Sequence, residues 1–484
     1  MPEALIEQFD DLWRQSRNAF EQERVWLRAK TLAYSSLVCL GRHTVTGLVT
    51  TGGRQFEDWS AFYRLFARER FDSDRLFSVV RRDVLKSLPR EAPVVAAMDD
   101  SILKKTGKKT AGVAYRRDPL GPPFHTNFVR GQRVLQLSAA LPSGPVPDGA
   151  RMIPIDFEHT PTPQKPRKDA PLEAWQQYRQ AQKEMNINRK GVERLSALRQ
   201  NLDNDPEGDK KALWVVVDGR FTNRTVLKNL PQRTTLIGRI RKDTKLHYLP
   251  EPDNQPVKGR KCLYGELAPT PEQLKQDPDV AWDKVDVWAA GKVHSFKVKT
   301  ITSLRWRPAG ADTDLRLIVV APLAYRLRKG SGLLYRKPAY LICTDPDIPI
   351  KQVLQAYVWR WDIEVNFRDE KTILGVGQAQ VRTESSVAKV PQFMVATYAM
   401  MLLAAYHTYG SKGIPDALPP PKWRKEEKPR RASTQHIINQ FRSELWGKAL
   451  GYSNFSGFKN RKYQNMNHQN ITPHLPSAVL YANA

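Results

Sequence analysis

Three short runs along the chain are almost wholly apolar: PVVAAM at 93–98, LWVVV at 213–217 and AYLICT at 339–344. A strand with one wet face alternates apolar and polar residues, whereas a strand covered on both faces reads as a continuous apolar run. Each run is shorter than a typical helix and is followed by a stop: Asp99-Asp100, then Asp218-Gly219, then the turn DPDIP. The stretches between them have helical character. Leu172 to about Leu202 reads as one long polar helix, Thr222 as the N-cap of a helix reaching Leu230, and another helix starts near Ile350. Short buried strands alternating with helices specify an α/β core.

Around this core the pattern changes. Residues 1–90 read as helical, with Leu5, Phe9, Leu12 and Trp13 recurring at helix spacing and Phe20 extending the face. Two amphipathic segments flank Gly52-Gly53, a pattern that fits either a helix-turn-helix or a plain three-helix bundle. Residues 91–233 form the first part of the α/β core, including the strand-like RVLQLSAAL (133–141) and MIPIDFE (152–158) and a Pro- and Lys-rich loop at 160–170. Residues 234–338, with TTLIGRI, HSFKVKTITSLRW and LRLIVVAPL, read as a β-rich insertion. The core resumes over 339–410. Its most apolar run, Val390 to Tyr406, contains Pro391 and Gln392 and is shorter than the roughly 20 residues a bilayer requires, so it reads as a core helix. Residues 411–484 are a basic C-terminal region: a Pro- and Lys-rich segment, an amphipathic helix and an Asn-rich tail.

The 484-residue chain carries 77 Lys+Arg against 50 Asp+Glu, a net charge of +27. Such an excess points to a polyanion, because each cation set on a phosphate releases condensed counterions. Cys39, Cys262 and Cys343 are scattered and without C-x-x-C spacing, which argues against a disulfide framework or structural zinc and for a reducing cytosol. The acidic, amphipathic start MPEALIEQFDDLW is not a secretory signal. No G-x-x-x-x-G-K-[ST] loop is found, so no nucleotide cofactor is expected.

The strongest chemical signal is YVWRWDIEVNFRDEK, Tyr357 to Lys371. At about 100° per residue, Tyr357, Arg360, Glu364, Arg368 and Lys371 share one helical arc of roughly 80°. Trp359, Ile363 and Phe367 share the adjoining arc, which suits a core. Spacing alone leaves two readings open: an ion-pair ladder, or one carboxylate set among cations for phosphate and metal. Asp100 and Asp218, each expected at the end of a buried strand, favour the second. Three gathered carboxylates repel unless a divalent cation neutralises them, and Mg²⁺ takes such hard oxygen ligands. Asp99 competes with Asp100, because the preceding strand is apolar on both faces. Asp345 and Asp347 are read as starting the helix, His294 as structural, and Trp288 and Trp306 as core residues rather than base-stacking ones.

The spacing Tyr-x2-Arg-x3-Glu-x6-Lys at Tyr357, Arg360, Glu364 and Lys371 resembles the signature of one branch of bacterial insertion-sequence DDE transposases. MDDSILKKTGKKTAGVAY resembles that branch's first-Asp region, with Asp100 preceding Ser101, and WVVVDGRFTN resembles its second-Asp turn. The resemblance spans roughly 90–410 and implies a ribonuclease-H-like catalytic core with a β-rich insertion and helical N- and C-terminal regions. It further implies that Asp100, Asp218 and Glu364 bind two Mg²⁺ ions, replaceable by Mn²⁺. Tyr357, Arg360, Arg368 and Lys371 would then grip DNA phosphates. The expected substrates are double-stranded terminal inverted repeats and target DNA, cut and rejoined by a homodimer in the cytoplasm near the nucleoid, with a hairpin end as one route. The competing readings are a DNA-binding regulator without catalysis and a metal-dependent nuclease that does not join strands.

Overall fold

In a computed structural model of the chain, the three apolar runs are strands and the amphipathic N-terminal stretches are helices. It describes residues 4–107, 109–118, 121, 125, 127–142, 149–251, 261–289, 291–326, 330–410, 431–447, 449 and 475–480. Most of the expected basic C-terminal region, including the Pro- and Lys-rich segment and the Asn-rich tail, lies outside the described residues.

The N-terminal helices are α1 (Ala4–Gln15), α2 (Glu23–Val38), α3 (Val45–Thr51), α4 (Ser60–Ala67) and α5 (Ser73–Ser87). Strands β1 (Val94–Lys104), β2 (Ala114–Arg117), β3 (Phe128–Pro142) and β4 (Ala150–His159) follow, then helices α6 (Leu172–Glu184) and α7 (Ile187–Asp203). Next come β5 (Leu213–Val217), α8 (Arg224–Leu227), β6 (Thr234–Arg239), β7 (His247–Tyr248), α9 (Pro271–Gln276), β8 (Asp283–Ala289), β9 (Lys292–Trp306) and β10 (Gly310–Val320). The chain closes with β11 (Ala324–Tyr325), β12 (Leu334–Tyr335), β13 (Ala339–Cys343), α10 (Ile350–Trp359), α11 (Trp361–Thr372), α12 (Glu384–Tyr409), α13 (Thr434–Trp446) and α14 (Leu475–Leu480). These elements gather into two units. The first comprises Met1–Leu88, Asp100–Met185 and Ile363–Ala484, and the second Pro89–Asp99 and Asn186–Asp362.

In the first unit α12 is packed by α1, α2, α4, α5, α13 and β4. It is long and apolar enough to cross a membrane but is almost wholly buried in protein. Pro391 interrupts its hydrogen bonds, since proline has no N–H to give the carbonyl four residues back. That carbonyl belongs to Val387, and the Gln132 side-chain amide of β3 donates to it at 2.8 Å. Residues 52–59 separate α3 from α4, longer than the 3–4-residue turn of a helix-turn-helix. Helices α2 and α4 instead pack on α12, the bundle reading of this region. The Glu444 carboxylate of α13 accepts from the backbone N–H groups of Leu5 (3.1 Å) and Ile6 (3.0 Å), capping the start of α1.

The second unit holds a large mixed sheet. The first half of β1 pairs in parallel with β5, and β5 with β6; β13 then pairs antiparallel with β6, β10 with β13 and β9 with β10. The β-rich stretch therefore extends the core sheet through β13 instead of forming a sheet of its own, and β6 belongs to the core. Among the described residues, only β11 and β12 form a separate ribbon. Two helix readings change as well. The expected long helix breaks between Glu184 and Ile187, where Asn186 caps α7 by accepting from the Asn188 N–H at 2.9 Å. The helix after Asp218 is the single turn α8, capped by Asn223. Thr222 instead donates its hydroxyl to the Asp218 carbonyl at 2.8 Å.

Candidate active site

Strand β1 does not stop at its two acids but runs on to Lys104, which corrects the expectation of a strand end at Asp99-Asp100. Its parallel register with β5 ends at Met98 opposite Val217, so the next residues in step are Asp99 and Asp218. Side chains in register on adjacent strands share a face, about 4.5–5.5 Å apart at Cβ, and successive residues alternate faces. The register thus sets Asp99 beside Asp218 and turns Asp100 to the other face. On that other face Met98 meets α7, where a Cβ added to Gly191 would lie 3.2 Å from its thioether. Asp218 leaves the strand in a tight turn, its Oδ1 accepting from the Arg220 N–H at 2.9 Å. The turn folds over Gly238 of β6, where an added Cβ would lie 2.3 Å from the Thr222 hydroxyl.

Helix α10 brings the first two residues of the signature, Tyr357 and Arg360, to this face. Arg360, at its end, reaches the Asp99 carboxylate at 3.3 Å, both groups being largely buried. Tyr357 lies under the guanidinium at 5.8 Å. Burial pushes the Tyr357 hydroxyl above its ordinary pKa; Asp218 pushes the same way, while Arg360 and Arg239 oppose it. Arg239, the exposed last residue of β6, is a cation that spacing within one helix could not reveal. The Gln355 side chain fixes α10 to β8, accepting from the Trp288 N–H at 2.9 Å and donating to the Trp288 carbonyl at 3.0 Å. The Trp288 and Trp306 side chains are half-buried. The Asp345 carboxylate forms a local turn with the Asp347 N–H (3.0 Å) just before α10.

The single helix expected over Tyr357–Lys371 is two, broken at Arg360, and in the first unit α11 carries Glu364, Arg368 and Lys371. The Lys371 ammonium donates to the Ser101 hydroxyl, next to Asp100 on β1. Arg368 is exposed and spread on the neighbouring Asp369 carboxylate, with contacts of 2.9 and 3.0 Å. Behind these, α11 buries polar groups. The Asn366 amide donates to the Met152 carbonyl at 3.0 Å and the Ser138 hydroxyl at 3.3 Å, and Asp369 accepts from the Thr434 hydroxyl at 2.7 Å. Burial drives the Glu370 carboxyl up to about 8, so it is mostly neutral at pH 7. Glu364 and Asp100 fall in this unit and Asp218 in the other.

Among the described residues, no group of three His, Cys, Asp or Glu side chains is gathered to hold a metal ion. The donor set, carboxylate oxygens without thiolate or imidazole, nevertheless suits a hard divalent cation. A family model described as DDE superfamily endonuclease matches residues 17–311. The chain is a DDE superfamily endonuclease. Its substrate is therefore DNA, in keeping with its charge of +27. The part matched to the DDE endonucleases contains Asp99, Asp100 and Asp218 and ends before α10 and α11. No curated protein matches this endonuclease.

Proposed function

We propose that this endonuclease is a transposase that cuts DNA at the ends of its own element and joins the freed ends to a target. The observation that carries the reading is the β1–β5 register, which ends at Met98 and Val217 just before Asp99 and Asp218, with Arg360 on Asp99 and Tyr357 beside it, in a chain of the DDE family. Asp218, Glu364 and one acid of the 99–100 step would hold two Mg²⁺ ions, or Mn²⁺ in their place. Bound there, such ions supply Lewis-acid polarisation of the scissile phosphodiester and favour ionisation of the attacking hydroxyl. The protein's own part is to place the DNA. Arg360 and Arg368 offer planar forks to phosphate oxygens, Lys371 a point charge and Tyr357 a hydroxyl.

The first acid has two candidates. Resemblance assigns Asp100, whereas register and the Arg360 contact favour Asp99, which is the assignment proposed here.

The test is cleavage of duplex DNA bearing the element's own ends, with Mg²⁺. Asp218→Asn and Glu364→Gln should each cut activity at least about a thousandfold, the loss of several kcal/mol of transition-state stabilisation, while end binding persists. Asp99→Asn and Asp100→Asn then decide the first position, since only the ligand should show the same loss. Full activity in Glu364→Gln would end this reading. Joining of pre-cut ends to a plasmid separates transposase from simple nuclease. Two ends held by one homodimer, hairpin ends as intermediates and a cytoplasmic, nucleoid-associated location are further parts of the proposal.

A further inference from the structure

The ribbon formed by β2 and β3 carries large aromatics on an open face. Its antiparallel register sets Tyr115 opposite Arg130 and Arg117 opposite Phe128. Alternation places these four side chains on one face. Tyr115 is 72% exposed and Phe128 59%, an expensive placement for large rings. The aromatics are diagonal neighbours, about 7–8 Å apart, close to two base steps of about 3.4 Å each. The arginines fill the other diagonal, Arg130 also donating to the Gly107 carbonyl.

The face points toward α11 and α12. Gln132, two residues beyond Arg130 on the same face, donates to Val387 of α12. Lys105, whose N–H bonds the Arg130 carbonyl at 3.0 Å, reaches the carbonyls of Gly377 (2.8 Å) and Ala379 (2.9 Å) just after α11. Ser101, the Lys371 partner, lies on that face of β1 four residues earlier. Bases stack on any exposed ring, while arginines beside the ring take the phosphates between bases; duplex DNA, with its bases already stacked, offers the ribbon only its backbone.

We propose that the β2–β3 ribbon is a stacking platform for unpaired nucleotides of the DNA substrate, held by Tyr115 and Phe128 with Arg117 and Arg130 on the intervening phosphates. The proposal rests on the DNA-cutting reading only in naming DNA as the polyanion. Fluorescence anisotropy of the full chain, without divalent metal, compares a labelled 12-nucleotide mixed-sequence strand with its blunt duplex. Tyr115→Ala/Phe128→Ala should weaken strand binding at least about tenfold and duplex binding less than about twofold. Tyr115→Trp/Phe128→Trp should restore it, and Arg117→Ala should weaken both ligands and flatten the salt dependence. The proposal is overturned if the double alanine variant binds the strand like wild type, or if it loses strand and duplex equally. No strand binding by wild type overturns it too, as does a change in sedimenting mass of the double variant without DNA, which would mark a face between copies. Wild type that binds the strand but never cleaves terminal DNA would defeat the transposase reading and leave the platform standing.

Discussion

Helices α11 and α12 follow one another in the first unit, yet different forces hold them in place. Helix α12 buries Phe393, Met394, Val395, Ala396, Met400, Met401, Leu402 and Leu403, and its Phe393 ring stands within 5.5–6.0 Å of the rings of Phe66, Trp13 and Phe71. Helix α11 buries Asn366, Asp369 and Glu370 beside Ile363 and Phe367. Apolar burial is strong but non-directional, so it fixes that a helix is inside more firmly than how it is rotated. Buried polar groups must meet partners at set angles, so they fix rotation and register at some cost in stability. The helix that carries Glu364 and Lys371 is the one held by direction.

The contrast can be broken, starting from the largest stability effect. Phe393→Ala should cost about 3–5 kcal/mol in thermal or denaturant unfolding, while cleavage per folded molecule stays near wild type. A large loss of turnover in the folded fraction would show that α12 too sets the site. Asn366→Ala removes one partner of a buried pair and should cost about 1–3 kcal/mol. Its larger consequence should be catalytic, about tenfold slower cleavage in protein that remains folded. Lys371→Met should scarcely move the unfolding midpoint but should weaken DNA binding and lower its salt dependence.

Glu370 gives the sharpest test, because its sign is fixed. Its carboxyl, near 4.5 in the unfolded chain, is raised to about 8 in the folded one. The folded state thus binds the proton more tightly. The contribution is fully present below about pH 4.5 and is lost as pH rises from there toward 8. Melting temperature should therefore fall across pH 5–8 more steeply in wild type than in Glu370→Gln, which keeps a neutral donor for Gln136. Parallel pH profiles would show that Glu370 is ionised in the folded protein.

The pattern of the chain carried the strands β1, β5 and β13, the start of α10 and the buried character of α12, because continuous apolar runs and stops are local properties. The extension of β1 past Asp99-Asp100 was not legible, since DSILK acquires strand form by pairing with β3, some 30 residues away. Thr222 and Asn223 both have cap chemistry, and only the turn over Gly238 decides between them. In the candidate site, periodicity over one expected helix gave Tyr357, Arg360, Glu364, Arg368 and Lys371, although the chain divides them between α10 and α11. The choice between Asp99 and Asp100 needed the register with β5, and Arg239 and Ser101 needed neighbours from other elements.

Leu5 and Ile6 precede Glu444 by 439 and 438 residues. The first amides of α1 therefore have no acceptor from α13 until the residues between them have been made, although domains ordinarily mature from the N-terminal side. A chain cut short anywhere before α13 would carry its leading helix open at the end. For an endonuclease, such a requirement would leave chains cut short before α13 without the finished N-terminal bundle.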